Sequence, residues 1–158
     1  MRKQERKDGM KYFPITFIFI FLINNIIANE FKDYIFEDFA SSKLGTIKIS
    51  ENERFSTYNS EGMWKDSEGD YGTEFCSGYV KEFNKNVSLE VYCETKNQDG
   101  DIFWNSRIRS SEKGGGIGKI KFLNGTGKYK KYIGLECPYG IVYQAEHAWF
   151  KAKCKIKN

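Results

Sequence analysis

The spacing of the cysteines constrains the fold of this 158-residue chain more than any other feature. Cys76 and Cys93 are 17 positions apart, and Cys137 and Cys154 have the same separation of 17. Residues that face each other across an antiparallel hairpin have a constant sum of residue numbers. An odd separation therefore leaves an even-numbered loop, as two- and four-residue hairpins require. The spacing predicts that each pair faces across a hairpin, within reach of a disulfide.

This pairing predicts one turn at Asn84-Lys85 and another at Ala145-Glu146. Four cysteines allow other connectivities, and the alternative is Cys93 with Cys137 and Cys76 with Cys154, which would join elements distant in sequence. We do not expect a metal site, because structural zinc ligands usually come in close pairs such as CxxC and the sequence contains no such pair.

The first 28 residues have the pattern of an export signal. Five basic residues precede the mainly apolar run from Tyr12 to Ile27, and Ala28 follows as a cleavage position. The run is shorter than the ~20 apolar residues that span a bilayer comfortably. We expect a hydrophobic leader helix, removed as a signal peptide. The alternative is an uncleaved anchor, in which case residues 12–27 would be the only contact with the membrane. Both readings place the rest of the chain outside the cytoplasm, in the periplasm or secreted, where disulfides persist.

The net charge of the exported part argues against nucleic-acid binding. The leader holds five of the 25 basic residues and two of the 21 acidic ones, which leaves 20 against 19 and a net charge of +1. Binding to nucleic acid needs a concentrated basic surface. The alternating lysines near the C-terminus are typical of a solvated edge strand.

Short alternating segments separated by turn signals run through residues 44–158, and we expect them to form one domain. Leu89, Val91 and Cys93, for example, fall on one face of a strand, and the segments 66–70 and 97–101 are rich in turn-forming residues. About eight strands at this spacing predict an all-β antiparallel barrel. Residues 29–43 are predicted to be an N-terminal arm or a short helix, although a strand also fits part of them.

The segment NGTGKYKKYIG does not match a phosphate-binding loop. A P-loop requires a glycine five positions before the Gly-Lys pair and a Ser or Thr after it, and here Phe122 and Tyr129 hold those positions. Asn124 and Gly125 tolerate positive φ, so the segment predicts a hairpin turn between two strands.

We identify no catalytic residue and no cofactor site. His147 is the only histidine, and we expect it at the surface in the last turn, without a catalytic partner. With all four cysteines oxidised no thiol nucleophile is left, and the GxSxG pattern of serine hydrolases is absent.

Asn105, Arg107 and Arg109 alternate along one predicted strand and are the candidates for ligand binding. The usual exposure of arginine predicts that this face points to solvent. If the face lined a barrel instead, the guanidinium groups could bind an anion or carboxylate.

The segment NGTGKYKKYIG also resembles a strand-turn-strand motif of dirigent proteins, allene-oxide-cyclase-like barrels and uncharacterised exported bacterial proteins. The positions that match are Gly125, Thr126, Gly127, Lys128, Tyr129 and Gly134, with Asn124 where those families often have glycine. The resemblance implies an eight-stranded calycin-like barrel. It carries over no catalytic residue, so activity by analogy would rest on the fold alone.

We therefore expect a small exported barrel that acts as a non-catalytic binding or structural module of the cell envelope. Its partner would be an envelope protein or a small apolar ligand. The alternatives are an isomerase or cyclase acting on an apolar substrate inside the barrel, and a membrane-anchored accessory protein.

Overall fold

The computed structural model describes residues 31–157, which form a closed barrel of eight antiparallel strands. Each strand pairs with the next one in the chain, and the last pairs with the first. The predicted all-β barrel is confirmed, whereas the leader lies outside the described residues. Among the described residues, no helix is long and apolar enough to span a membrane. The strands are β1 Phe31–Lys48, β2 Glu53–Asp66, β3 Tyr71–Phe83, β4 Asn86–Asn97, β5 Ile102–Glu112, β6 Gly116–Gly125, β7 Glu136–Gln144 and β8 His147–Lys157, and a 3₁₀ helix, Gly127–Tyr132, follows β6.

Both predicted cysteine hairpins are present. Phe83 pairs with Asn86 across the first turn, and Gln144 pairs with His147 across the second. Disulfides join Cys76 to Cys93, with Cα atoms 4.0 Å apart, and Cys137 to Cys154, with Cα atoms 5.0 Å apart. The first residue of each loop, Asn84 or Ala145, has a positive φ, as tight hairpins require.

The arm or short helix predicted for residues 29–43 is wrong where the structure describes that segment, because β1 begins at Phe31. Tyr34, Phe36, Asp38 and Ala40 point inward at every second position and are buried, which is the period of a strand and not of a helix. The strand pairs with β2 on one side and β8 on the other, so the barrel closes through this segment. The barrel domain therefore starts at Phe31 and not at residue 44.

The hairpin turn predicted at Asn124 and Gly125 is also wrong. Both residues lie in β6, where they pair with Trp104 and Phe103 beyond an irregularity in the β5–β6 register. The connection to β7 is made by the 3₁₀ helix and by Gly134, whose φ is +86°. A two-residue turn would not bring Tyr129 and Tyr132 into the core, where both are buried.

Side chains of the GTGKY segment and of the 3₁₀ helix form hydrogen bonds to the β2–β3 loop. The Lys128 ammonium lies 2.6 Å from Asp70 Oδ1, and the Tyr129 hydroxyl donates to Asp70 Oδ2 at 3.0 Å. The Tyr132 hydroxyl donates to Glu68 at 2.8 Å. The motif that suggested a phosphate loop thus binds carboxylates of its own chain and covers one end of the barrel.

The barrel interior contains two apolar clusters. The first lies towards the 3₁₀ helix and is mostly aromatic, and the second contains aliphatic residues and the Cys76–Cys93 disulfide. Their main members are Tyr34, Phe36, Trp64, Phe103, Phe122, Tyr129, Tyr132 and Phe150 in the first, and Tyr58, Val80, Val87, Leu89 and Val91 in the second.

Candidate functional site

The three predicted ligand-binding residues lie together on the inner face of β5. Asn105 is 0% exposed, Arg107 5% and Arg109 4%. The expectation that this face points to solvent is therefore wrong. Arginine can be buried when its charge is paired, and Arg107 is paired with carboxylates.

Arg107 uses all three of its nitrogens inside the barrel. Nη1 donates to Asp38 Oδ2 at 2.8 Å, Nη2 donates to Glu74 Oε2, and Nε donates to Asn105 Oδ1 at 3.1 Å. The guanidinium carbon lies 3.9 Å from the centroid of the Phe150 ring, which adds a cation–π contact. The carboxylate binding that the sequence suggested for Arg107 is thus satisfied within the protein.

The cluster around Arg107 has two carboxyl groups and one guanidinium. Burial raises the pKa of Glu74; the positive charge of Arg107 opposes that rise and the negative charge of Asp38 adds to it. The Thr95 hydroxyl donates to Glu74 Oε2 at 2.8 Å, and the Asn105 amide donates to Thr95. A proton on Glu74 would leave one carboxylate beside one guanidinium, so we expect Glu74 to titrate above the usual range of a carboxyl group.

Arg109 has a different environment from Arg107. Its Nη1 donates to the carbonyl of Gly114 at 2.7 Å, and its Nε is buried without a hydrogen-bond partner. Within residues 31–157 Arg109 forms no ion pair, whereas Arg107 forms two.

Glu74 and the two cysteines of the first disulfide bring three potential metal ligands within 4.8 Å of one another. Thiolates bind metals, and both of these sulfurs are in a disulfide. In the oxidised protein the group lacks the donors that zinc prefers.

His147 is the first residue of β8 and follows the turn directly. It is partly exposed, and its ring stacks on Phe39 with the centroids 5.3 Å apart. The carboxylate of Glu146 lies 3.5 Å from Nε2. His147 therefore has neighbours that the sequence did not suggest, and it contributes to an outer apolar surface.

That surface is a row of four large apolar side chains on adjacent strands, which we call the outer row. Met63 pairs with Phe39, Phe39 pairs with Trp149, and Trp149 pairs with Val142, so the row crosses β2, β1, β8 and β7 without interruption. The four residues are 68%, 55%, 56% and 62% exposed in that order. Sequence alternation marks each as outward-facing, but only the strand register shows that they are adjacent.

Ion pairs border the outer row on one side. Glu37, two residues before Phe39, lies between Lys65 and Lys151, at 3.5 and 2.9 Å. Farther along the same strands, Asp33 lies between Lys153 and Lys155, at 2.8 and 2.6 Å. Beside the row one carboxylate thus faces two lysines, which leaves one positive charge in excess on that side. A groove of about 450 Å³ runs along the row and is lined by Phe39, Met63, Lys65, Tyr71 and Trp149, among others.

No protein-family model and no curated protein matches the sequence. The structure is similar to the crystal structure of a conserved protein of unknown function from Rhodopseudomonas palustris, with a TM-score of 0.63 and 12% sequence identity. The alignment covers 80% of this chain and 98% of that one. At this identity the likeness shows a shared fold alone. The resemblance of the GTGKY segment to dirigent-like barrels stays a prediction.

Proposed function

We propose that this protein is an exported, non-catalytic binding module of the cell envelope that binds a partner protein through the outer row. The observation that carries the proposal is the unbroken line of Met63, Phe39, Trp149 and Val142 across four strands. Isolated exposed apolar residues are common on soluble proteins, whereas contiguous apolar patches mark interaction surfaces.

The composition of the outer row suits the centre of a protein interface. Aromatic residues and methionine are enriched in interface cores, and a polar rim usually surrounds them. Here Phe39, Trp149 and Met63 form the centre, and Glu37 with Lys65 and Lys151 forms one rim. Burying the Trp149 side chain fully would contribute roughly 2 kcal/mol or more to binding.

Charge indicates the kind of partner. Lys65 and Lys151 border the row on one side with only Glu37 between them, so a complementary surface would have an apolar centre and an acidic edge on that side. A second copy of this chain would bring lysines close to lysines in many orientations. We therefore favour a different, acidic envelope protein.

Two features support the export that we propose. Both disulfides are compatible with an oxidising compartment, and the leader pattern of residues 1–28 points to the same location. We propose that the leader is cleaved after Ala28; an uncleaved leader would make the protein a membrane-anchored accessory protein with the same binding surface.

Site-specific photocrosslinking in the native host tests the proposal. A photoreactive residue at Val142, at the end of the row, should give one dominant protein adduct, and Trp149→Ser in the same chain should abolish that adduct. The matched control is a photoreactive residue at Ile108, which is 54% exposed on β5 and lies away from the four strands of the row.

Equal adduct patterns at Val142 and Ile108 would overturn the proposal, as would an adduct that persists with Trp149→Ser. An adduct of twice the chain mass would identify a second copy as the partner. Crosslinking to lipid alone would identify the membrane surface and exclude the protein partner proposed here.

A further inference from the structure

The environment of Arg109 points to a second binding site, inside the barrel. Its side chain is buried, its Nε has no partner and it forms no salt bridge within residues 31–157. A buried ion normally requires a counter-ion, because removing an unpaired charge from water costs several kcal/mol. Arg107, two residues earlier on the same face, has two carboxylates, so the contrast is local and specific.

The tyrosines near Arg109 do not supply the missing charge. The Tyr143 ring lies 5.5 Å from the guanidinium carbon, and Tyr139 is close enough for the charge of Arg109 to act on it. Tyr58 is in turn close enough to Tyr143 to act on that side chain. Burial raises the pKa of Tyr58 and Tyr143 and raises the pKa of Tyr139 to about 12, so all three phenols are neutral at physiological pH. Neutral phenols are hydrogen-bond donors and do not balance the charge of a cation.

Arg109 lies near one end of the barrel. β5 ends at Glu112, and the Gly114 carbonyl that accepts from Arg109 belongs to the loop of Lys113 to Gly115 between β5 and β6. At the same end Tyr143 is 36% exposed, and Leu44, which pairs with Tyr58, is 53% exposed. Apolar and aromatic side chains therefore lie at the barrel end nearest the charged group.

Glycines on β6 keep this part of the interior open to large side chains. A Cβ atom at Gly116 would lie 3.1 Å from Arg109 Nη1, and one at Gly118 would lie 2.4 Å from the Tyr139 ring. A side chain at Gly116 or Gly118 would therefore collide with Arg109 or Tyr139, and glycine at these two positions leaves room for them.

We propose that Arg109 is the anion-binding residue of a site for a small organic carboxylate, whose apolar body lies among Tyr58, Tyr143 and Leu44. The ligand carboxylate replaces the missing counter-ion through a charge-assisted hydrogen bond to the guanidinium. The site is separate from the outer row and does not depend on the function proposed for that surface.

Calorimetric titration of the oxidised protein with benzoate, octanoate and inorganic phosphate tests this site. We expect octanoate or benzoate to bind, and phosphate, which lacks an apolar body, to bind at least tenfold more weakly. Arg109→Met should weaken carboxylate binding at least tenfold. Lys119→Met is the matched control, since Lys119 is an exposed cation on the outer face of β6, and it should leave the affinity unchanged.

Thermal unfolding provides an independent readout. If Arg109 is retained for binding, Arg109→Met should unfold at an unchanged or higher temperature, because the variant removes an unpaired buried charge. Failure of both carboxylates to bind at millimolar concentration would overturn the proposal. So would phosphate binding that equals theirs, carboxylate binding that survives Arg109→Met, or a fall in unfolding temperature as large as that of Arg107→Met.

Discussion

The two inward-facing arginines of β5 differ in what neutralises them. Arg107 lies between Asp38 and Glu74, while Arg109 has only a carbonyl group and an aromatic ring. Residue type and alternation are the same for both, so sequence alone gives them the same role. The carboxylate partners of Arg107 come from β1 and β3, which are distant from β5 in sequence and reach Arg107 only inside the closed barrel.

Removing Arg107 should destabilise the fold strongly. Arg107→Met leaves Asp38 and Glu74 buried without a cation, and breaking a buried ion pair in this way costs about 3–5 kcal/mol. Urea unfolding at neutral pH measures the loss, with Arg54→Met as the exposed control. A loss below about 1 kcal/mol would show that the Arg107 cluster does not hold the barrel together.

Glu74 should make the stability of the protein depend on pH. Its pKa is raised in the folded state above the value of about 4.3 of an unfolded chain, so the folded protein binds more protons above that pH. The free energy of unfolding should therefore fall as the pH rises from about 5 to 8. Ion pairs with Lys32 and Lys131 and a hydrogen bond from Tyr132 outweigh the effect of burial and lower the pKa of Glu68 to about 2, so Glu68 contributes no slope in that range.

Glu74→Gln isolates this effect, because the amide mimics the protonated carboxyl and does not titrate. We expect the wild-type protein to lose at least about 1 kcal/mol of stability relative to Glu74→Gln between pH 5 and pH 8. Urea unfolding across that range measures the difference. Parallel pH profiles for the two proteins would contradict the assignment of Glu74 as the titrating group.

At the scale of elements, the 3₁₀ helix holds the end of the barrel closed. Gly127 has a φ of +46°, and a Cβ atom there would lie within 2.0–2.1 Å of both carboxylate oxygens of Asp101. The glycine therefore allows the chain to turn from β6 into the helix while Thr126 contacts β5 through its hydroxyl. Gly127 thus allows a positive φ, and Gly125 and Gly127 allow the backbone to lie close to Tyr129 and Asp101.

Gly127→Ala should reduce stability by about 1–3 kcal/mol, since it adds a steric clash to an unfavourable backbone conformation. The matched control is Gly140→Ala on β7, where no heavy atom lies within 4 Å of the added carbon. Thermal unfolding of the two variants measures the difference. If both variants unfold at the same temperature, the GTGKY segment does not stabilise the barrel in the way that its contacts indicate.

For the molecule as a whole, local patterns predicted the architecture better than the site. The spacing of Cys76 and Cys93 predicts their disulfide and the Asn84-Lys85 turn, because a hairpin is a short-range geometry. The position of β1 was missed because its closing partner, β8, lies more than 100 residues away. The inward direction of Arg107 was missed for the same reason, since its carboxylate partners are set by the closed barrel and not by neighbouring sequence.

The outer row could not be predicted from the sequence for the same reason. Phe39 and Trp149 are separated by more than 100 positions, and only closure between β1 and β8 makes them neighbours. A strand pattern identifies each as outward-facing, whereas a contiguous surface requires the register of four strands.

The proposed envelope role depends on export to an oxidising compartment and on both cross-strand disulfides being formed. Intact mass of the protein from its native host, measured with and without reductant, tests it most directly. We predict the mass of residues 29–158 less four hydrogens, with four hydrogens regained on reduction. A full-length chain with four free thiols would contradict the claim.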